Sequence, residues 1–542
     1  MKYLFTSLFV FALYLNVQSQ CNPTTEKMMV IGDSWAFFSW TGNSYNENLD
    51  RFGFSDVECY STANLAVNGA EANDYFTNPA RVQELEDYIT SNSDLEYVHY
   101  SLGGNDAMGT WHKDMDSGEE SAILDTIMLD VRAGIDTILS FNPDLKILIS
   151  GYDFANFSET IETLPLALQS LHPFYSTWDG MGQPSITELN EVLNTFCSRF
   201  ADSAAVWENV YFVNNIGLMQ YEYGQTTALQ VSPFGTYAQY TAPVPGGIAD
   251  YPTPLEALNF GGNDSFHLND NAFELFIKRH FSEWYWNQLR DYHASVSADI
   301  ANSSSLTATI QTGSSLKLGN YGADDSDILL SFNTSSFDDA FTIDRASLFV
   351  EVLSTSGADL AGTDVTVQIA SGYFGATISA ESDDYADTGD ESDDLCSYGT
   401  LSEDGHWMRI DLPASFFSHI DMSGSTQFKL SFSLVDTDQY IEFKNISDNA
   451  FLDVHYTIDP FSSTPEETDT DLILFPNPAN NLINIQAESE IERIEILDIN
   501  GKVVMQKSGN NTKIDITNLS AGIYVMNIHQ QDGIMQKKLI KK

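Results

Sequence analysis

Four consecutive apolar residues, Met28-Met29-Val30-Ile31, stop abruptly on Gly32-Asp33-Ser34-Trp35, and this stop constrains the chain more than any other feature. An unbroken apolar run of that length reads as a strand buried on both faces, of the kind found inside a parallel sheet. The glycine lets the backbone turn sharply, so that the Ser34 hydroxyl stands clear of the sheet edge, where a nucleophile is displayed. A Gly-Asp-Ser after a strand is by itself more often an ordinary turn. Its weight comes from three further blocks that occur downstream in a fixed order.

Residues 57–66 form a second strand-like segment, after which Asn68-Gly69-Ala70-Glu71-Ala72 opens a helical pattern. A glycine at such an entrance leaves backbone N–H groups able to meet an anion, although an ordinary strand-to-helix turn has the same letters. A third strand, 97–102, ends in Gly103-Gly104-Asn105-Asp106, where an Asn amide can aim an N–H donor at a developing oxyanion. Helical segments at 122–139 and 186–200 then alternate with strands at 146–150 and 210–213. This alternation predicts a doubly wound α/β fold on a parallel sheet, whose sites lie at the carboxyl ends of the strands. The fourth piece is Gly261-Gly262-Asn263-Asp264-Ser265-Phe266-His267, just ahead of a predicted helix over 270–290. At a spacing of three, the carboxylate can hold the imidazole in one tautomer while its other nitrogen faces the serine. His112 lacks an acidic residue before it at that spacing, and His280 on the amphipathic helix reads as a packing or surface residue.

Taken together, these four blocks make residues 27–292 resemble the SGNH (GDSL) hydrolases, serine esterases and lipases built on a flavodoxin-like sheet. The resemblance implies that Ser34 is the nucleophile, with Asp264 and His267 completing the triad. It also implies an oxyanion hole formed by the Ser34 backbone, Gly69 and Asn105, and a reaction needing neither metal nor organic cofactor. Trp35 stands where the family usually carries an aliphatic residue, which bears on the shape of the pocket.

The 542 residues are too many for one core, and a hydrophobic share of 43% with 12% aromatics marks a globular chain despite a net charge of -53. That charge would repel nucleic acid and anionic membranes and suits a protein kept soluble outside the cell. Residues 1–19, with Lys2, the apolar run 4–15 and Val17-Gln18-Ser19, read as a secretory signal peptide too short to span a bilayer. A lipid-modified Cys21 is the alternative, but Gln20 is a poor residue before it. The mature chain is expected to carry no transmembrane segment. Of the four cysteines, Cys21, Cys59, Cys197 and Cys396, the first two sit near neighbouring strands and are the expected pair.

The catalytic domain is expected over 20–295. Within it, residues 221–262 are rich in Tyr, Pro and Gly, a length that is usually functional in a compact domain. Its tyrosines either wall the substrate cleft, where Tyr237, Tyr240 and Trp35 are the candidate substrate contacts, or pack the loop down. A polar stretch, 295–305, reads as a linker. Residues 301–459 then change to alternating, β-branched runs separated by Gly/Asp/Ser turns, predicting a β-sandwich module that loosely resembles carbohydrate-binding modules. The acidic run 383–394 offers calcium ligands, but its irregular spacing is more common in solvated loops.

After a Thr/Glu/Asp-rich linker at 460–471, residues 472–542 form a small immunoglobulin-like β-domain. Its Pro476-Asn477-Pro478 start, Asp498-Ile499-Asn500-Gly501-Lys502, Leu519-Ser520-Ala521-Gly522-Ile523-Tyr524 and lysine-rich end resemble the sorting domain of the type IX secretion system. That resemblance implies a Bacteroidota-type bacterium, the secretion machinery as partner, export through the outer membrane and a secreted or surface-attached protein. The whole chain is expected to be a secreted serine esterase that deacylates, above all deacetylates, a polysaccharide. A lipase or polyester hydrolase is the alternative within the family, and an inactive surface adhesin the alternative outside it.

Overall fold

A computed structural model describes residues 23–225 and 248–457, apart from 307–309, 312, 322–323, 338–341, 358–363, 433–437 and 447, and residues 472–541 apart from 476–478, 480, 488–490, 498–501, 510–511, 521 and 531–532. The chain divides into two compact units at Thr457/Ile458. The expected signal peptide, Cys21, Tyr237, Tyr240 and the expected second linker lie outside the described residues.

The first unit begins with five strands, β1 (Thr25–Gly32), β2 (Val57–Tyr60), β3 (Tyr97–Ser101), β4 (Lys146–Ser150) and β5 (Val210–Val213). They form one sheet in the order β2-β1-β3-β4-β5, and every neighbouring pair runs parallel. Met28, Met29, Val30 and Ile31 are fully buried, as a central strand covered on both faces requires. The chain reverses its direction of winding at β1 and β3, so the loops after these two strands open a crevice at the carboxyl edge. The segment expected as one strand over 57–66 breaks after Tyr60 and returns to the edge as a single bridge between Gly32 and Ala66. Gly32 N–H donates to Leu65 O at 2.9 Å, and Val67 N–H donates to Gly32 O at 2.9 Å, which brings Asn68 and Gly69 alongside the end of β1. A Cβ on Gly32 would sit 2.0 Å from the Ser101 carbonyl oxygen. The glycine of the first block is therefore required by the close approach of β1 and β3.

The helix expected over 270–290 is continuous in direction but runs as Asp270–His280, a π turn Phe281–Tyr285, and Trp286–Arg290. Its far end is held in the β-rich half. Arg290 donates to both carboxylate oxygens of Asp453 at 2.6 Å, and both residues are buried. The Arg290 guanidinium also lies over the rings of Trp286 and Phe451, and Trp286 meets Trp407 with ring centroids 4.5 Å apart. The stretch expected as a linker is not free, since Ala294–Ser297 pairs antiparallel with the strand Ala450–Thr457, and Ser304–Leu306 pairs with Asp324–Asn333. Serine and alanine look like linker composition, yet their backbones satisfy a sheet edge as well as any others.

The β-rich half is not a sandwich. Among the described residues, eight strands close into a ring, with the consecutive neighbours Trp407–Leu412, Glu391–Tyr398, Asp364–Ser371, Ser425–Ser431, Asp324–Asn333, Ser315–Tyr321, Tyr440–Lys444 and Thr342–Ser356, the last of which pairs back with the first. Closure depends on the long strand Thr342–Ser356. Its residues Ala346–Glu351 pair with Trp407–Leu412, whereas Val352–Ser356 pair with Tyr440–Lys444 after a bulge. A bulge bends a strand and increases its twist, allowing one strand to belong to two faces. Alternation in sequence shows which residues face inward but not whether the sheet closes, so the same pattern serves a sandwich and a barrel. Val350, Val352, Val367, Ile369, Ile410, Leu430 and Phe443 fill this second core.

The second unit, by itself, packs a three-stranded sheet and a four-stranded antiparallel sheet around Ile483, Ile485, Ile494, Ile496, Ile514 and Ile528. Cys59 and Cys197 are free and buried, while Cys396 takes part in a disulfide. The expected Cys21–Cys59 pairing is thereby corrected. Cys59 turns inward from β2 into the core, where burial pushes its thiol up and leaves it inert.

Beneath the sheet edge lies a buried polar group. His99 on β3 takes a short hydrogen bond at Nδ1 with the Tyr45 hydroxyl and one of 2.8 Å at Nε2 with Ser150 Oγ, and its ring meets that of His280 edge-on. His280 proves to be fully buried, hydrogen-bonded to Asn215. Burial pushes His99 down to about 3, so its neutral form contributes stability that is complete above the ordinary value near 6.5 and is lost as pH falls below it. His99→Gln should therefore be less stable than wild type at pH 8, and chemical denaturation at pH 5 should show that gap reduced by about 2 kcal/mol. Asp33, Asp106 and Asp153, each pushed up to about 6 by burial, titrate in the opposite sense, but they are common to both proteins and cancel in the difference. An unchanged gap across that range would mean that His99 is solvated.

Candidate active site

Asp33 closes β1 and caps the helix Ser34–Thr41, its Oδ1 accepting the Trp35 N–H at 2.9 Å. Ser34 is thus the first residue of a helix, with its hydroxyl on the carboxyl side of the sheet. The His267 Nε2 lies 2.8 Å from Ser34 Oγ, and His267 Nδ1 lies 3.0 Å from Asp264 Oδ2. Three residues expected to act together from positions far apart in sequence are in a single hydrogen-bonded line. Asp264 is completely buried, and its Oδ1 accepts the backbone N–H groups of Phe266 and His267 at 3.0 and 2.9 Å. Burial alone would raise this carboxyl, but the hydrogen bonds and charge of His267 outweigh it and hold Asp264 below the usual carboxylate range. An ionised Asp264 accepting at Oδ2 fixes the proton of the neutral imidazole on Nδ1 and leaves Nε2 as the acceptor facing Ser34.

The loop that carries Asp264 and His267 is secured at both ends. Asn259 N–H donates to His267 O, and Asn156 N–H donates to Ser265 O at 2.6 Å. The rings of Phe38, Phe174 and Phe266 surround the imidazole at centroid distances of 5.0, 5.6 and 4.2 Å. Phe266 and Phe174 were not singled out from the sequence, although Phe266 lies between the two catalytic candidates and is the signal that could have found this wall.

Gly69 and Asn105 share an open cleft with Ser34, Asn68, Phe174, Thr177 and His267. The Asn105 amide donates to Ala70 O at 3.0 Å, which fixes its plane, and an amide carries a second N–H. Asp106 accepts the Ala72 N–H, so the loops after β2 and β3 are tied to each other beside the serine. A second, apolar hollow also reaches the serine, walled by Trp35, Met108, Tyr152, Phe157, Leu193 and Phe266. Trp35 is almost wholly buried, edge-on to Tyr152, Phe273 and Phe276, so it is a core residue that also forms part of this wall. Tyr237 and Tyr240 lie outside the described residues. His112 is half-exposed with Asp114 N–H donating to its Nδ1, away from the serine line.

Tyr152 is the residue of the candidate site that sequence reasoning missed. Its hydroxyl donates to Asp33 Oδ2 at 2.6 Å and accepts the Gly104 N–H at 3.0 Å. One buried phenol therefore joins the ends of β1, β3 and β4. Its signal was positional, a polar aromatic immediately past the carboxyl end of the fourth strand.

Residues 473–542 match the family model described as the secretion system C-terminal sorting domain. This domain marks the chain for export, to be secreted or attached at the cell surface. No curated protein matches the chain. Among solved structures, it is similar to a carbohydrate esterase family 3 protein from Talaromyces cellulolyticus, with 14% identity, 47% of this chain and 94% of that chain covered, and a TM-score of 0.22. A possible lipase from Chitinophaga pinensis has 17% identity, 48% and 98% coverage and a TM-score of 0.24. Est24, a carbohydrate acetylesterase from Sinorhizobium meliloti, has 13% identity, 48% and 97% coverage and a TM-score of 0.25. At these scores the likeness carries no argument about activity. No helix among the described residues is long and apolar enough to cross a membrane.

Tyr152→Phe removes the donor to Asp33 and the acceptor for Gly104, both buried. The expected loss of stability is about 1–3 kcal/mol. It should be larger at pH 8 than at pH 5, because Tyr152 holds down the Asp33 carboxyl that burial has raised to about 6. Without that donor the folded-state value rises further, and the stability it carries is lost as pH rises through it. Urea denaturation at both pH values measures this; a loss independent of pH would leave only the Gly104 contact responsible.

Proposed function

We propose that the chain is an exported serine ester hydrolase that deacylates a polysaccharide. The observation that carries this reading is the line Asp264–His267–Ser34, with separations of 3.0 and 2.8 Å at the mouth of a cleft. In the proposed reaction, His267 Nε2 takes the Ser34 Oγ proton as Oγ bonds to the ester carbonyl carbon. The Ser34 and Gly69 backbone N–H groups and the Asn105 amide stabilise the resulting oxyanion. The C–O bond to the alcohol then breaks, and the alcohol leaves with the proton from His267. Water, deprotonated by the same imidazole, attacks the acyl-serine and releases the acid. The reaction calls for no metal or organic cofactor.

The two hollows that meet at Ser34 support a division of the substrate. The apolar hollow suits the acyl group, while the open cleft with Asn68, Ser176 and Thr177 suits a hydroxyl-rich alcohol such as a sugar. The apolar walls also favour a second reading, a lipase or polyester hydrolase, in which acyl groups longer than acetyl are preferred. A series of p-nitrophenyl esters separates the two by whether turnover peaks at acetate or at longer chains.

Ser34→Ala should abolish p-nitrophenyl acetate hydrolysis above the uncatalysed rate while the protein still unfolds in a cooperative transition, with a loss of no more than about 1–3 kcal/mol from the buried hydrogen bond to His267. Wild-type protein with no activity on any ester would leave the chain an inactive surface adhesin. Asn105→Ala should lower kcat by about a hundredfold to a thousandfold with little change in KM, because the donor is needed only where charge develops. Near-full kcat in a folded Asn105→Ala protein would reduce Asn105 to the residue that holds Ala70.

A further inference from the structure

The barrel carries a loop between its strands Asp364–Ser371 and Glu391–Tyr398 in which Glu381, Asp383, Asp384 and Asp387 stand close together. One carboxylate oxygen from each of Glu381, Asp383 and Asp384 falls within 4.8 Å of the others. Exposed acidic loops do this without binding anything, and the irregular spacing of these residues fits that interpretation. Two features of Asp384 change the balance.

Asp384 is only 1% exposed. Its Oδ2 accepts the Glu381 N–H at 2.6 Å, but its Oδ1 is buried and has no hydrogen-bond partner. A buried carboxylate oxygen without a donor is costly, and natural proteins rarely leave one so. That same Oδ1 is packed where only a glycine leaves room for it. A Cβ on Gly375, whose φ is +67°, would stand 2.2 Å from Asp384 Oδ1 and 3.4 Å from Asp387 Oδ2. Asp387 Oδ2 approaches the same glycine, so a fourth carboxylate stands beside the unpartnered oxygen.

Lys429 adds one positive charge beside this group. Lys429 Nζ donates to the backbone carbonyls of Asp384 and Tyr385 at 3.0 and 3.2 Å and, in a short hydrogen bond, to that of Asp387. It braces the loop through its backbone, and its single charge is set against several carboxylates.

We propose that Glu381, Asp383, Asp384 and Asp387 bind a calcium ion that fastens this loop to the barrel. Hard carboxylate oxygens supplied by an irregular loop match calcium, which accepts 6–8 oxygens at variable angles, better than magnesium, which demands a near-ideal octahedron. An exported protein meets calcium at concentrations suited to such sites. The bound ion would hold a loop whose other attachments include the Ser371 N–H to Asp390, the Phe374 N–H to Gln427 Oε1 and the Gln427 amide to Ile378 O. No other function proposed for the chain depends on it.

The test uses the full chain, stripped with EGTA and then titrated with CaCl2 by calorimetry and by thermal unfolding. Wild type is expected to bind one calcium per chain below about 1 mM and to gain several degrees in the unfolding midpoint of the barrel transition. Asp383→Asn and Glu381→Gln, which alter exposed or half-exposed side chains, should weaken calcium binding at least tenfold; Asp384→Asn should abolish it if that variant folds. MgCl2 at equal concentration should give a clearly smaller shift. No heat and no shift with calcium up to about 10 mM would overturn the proposal. So would a response that survives both Asp383→Asn and Glu381→Gln, or one that magnesium reproduces in full.

Discussion

A single buried carboxylate, that of Asp33, determines where the reactive edge of this protein is built. It ends β1, caps the helix that begins at Ser34 and receives the hydroxyl of Tyr152. Tyr152 in turn receives the Gly104 N–H. Three loops from three strands therefore converge on one charge that water cannot reach. Burial raises this carboxyl to about 6, and the two donors oppose that rise. A charge kept inside a protein is tolerable only with such partners, so its neighbours have little freedom to move without leaving it unpaired. The rigidity of the serine's surroundings follows from that constraint, independently of what the serine does.

The same logic recurs at the other end of the helix that follows His267. Arg290 and Asp453 form a buried two-pronged pair, with the guanidinium lying over Trp286 and Phe451. Removing either partner would strand a charge in an aromatic environment, which costs more than the pair itself contributes. Arg409 repeats the arrangement with Asp56, its guanidinium over Phe54. These contacts join the parallel-sheet half to the barrel through side chains that look like ordinary surface charges in sequence. The junction is consequently part of a folded core, with Phe349 and Trp407 of the barrel buried against residues of the sheet half.

The parallel-sheet half was legible because each of its signals is local. An apolar run followed by Gly-Asp-Ser, a strand ending at Gly103-Gly104-Asn105 and an Asp264-x-x-His267 turn each occupy fewer than about ten residues, and the periodicities that order them are short-range. The barrel was misread because closure is a property of pairing between distant strands. Nothing in residues 342–356 announces that one end will pair with 407–412 and the other with 440–444. The linker at 295–305 was misread for a related reason, since serine-rich sequence reports weak side-chain preference, whereas pairing with 450–457 is set by the backbone. Cys59 was misassigned because nearness to a strand edge in sequence does not say which face of the sheet a thiol takes.

Tyr152 shows where the remaining limit lies. Its neighbours Ser150, Gly151 and Asp153 give it no motif, and its partners Asp33 and Gly104 are 119 and 48 residues away. Only the sheet order, which puts β4 beside β3 and β3 beside β1, makes those three positions adjacent. A candidate nucleophile and its candidate base can be found from short blocks because the chemistry proposed for them demands particular residue types. A residue that holds them in place answers only to geometry, and several types could fill the position. In a doubly wound sheet such residues should therefore be sought past the carboxyl ends of the strands next to the motif-bearing ones, where the fold brings unrelated stretches to one edge.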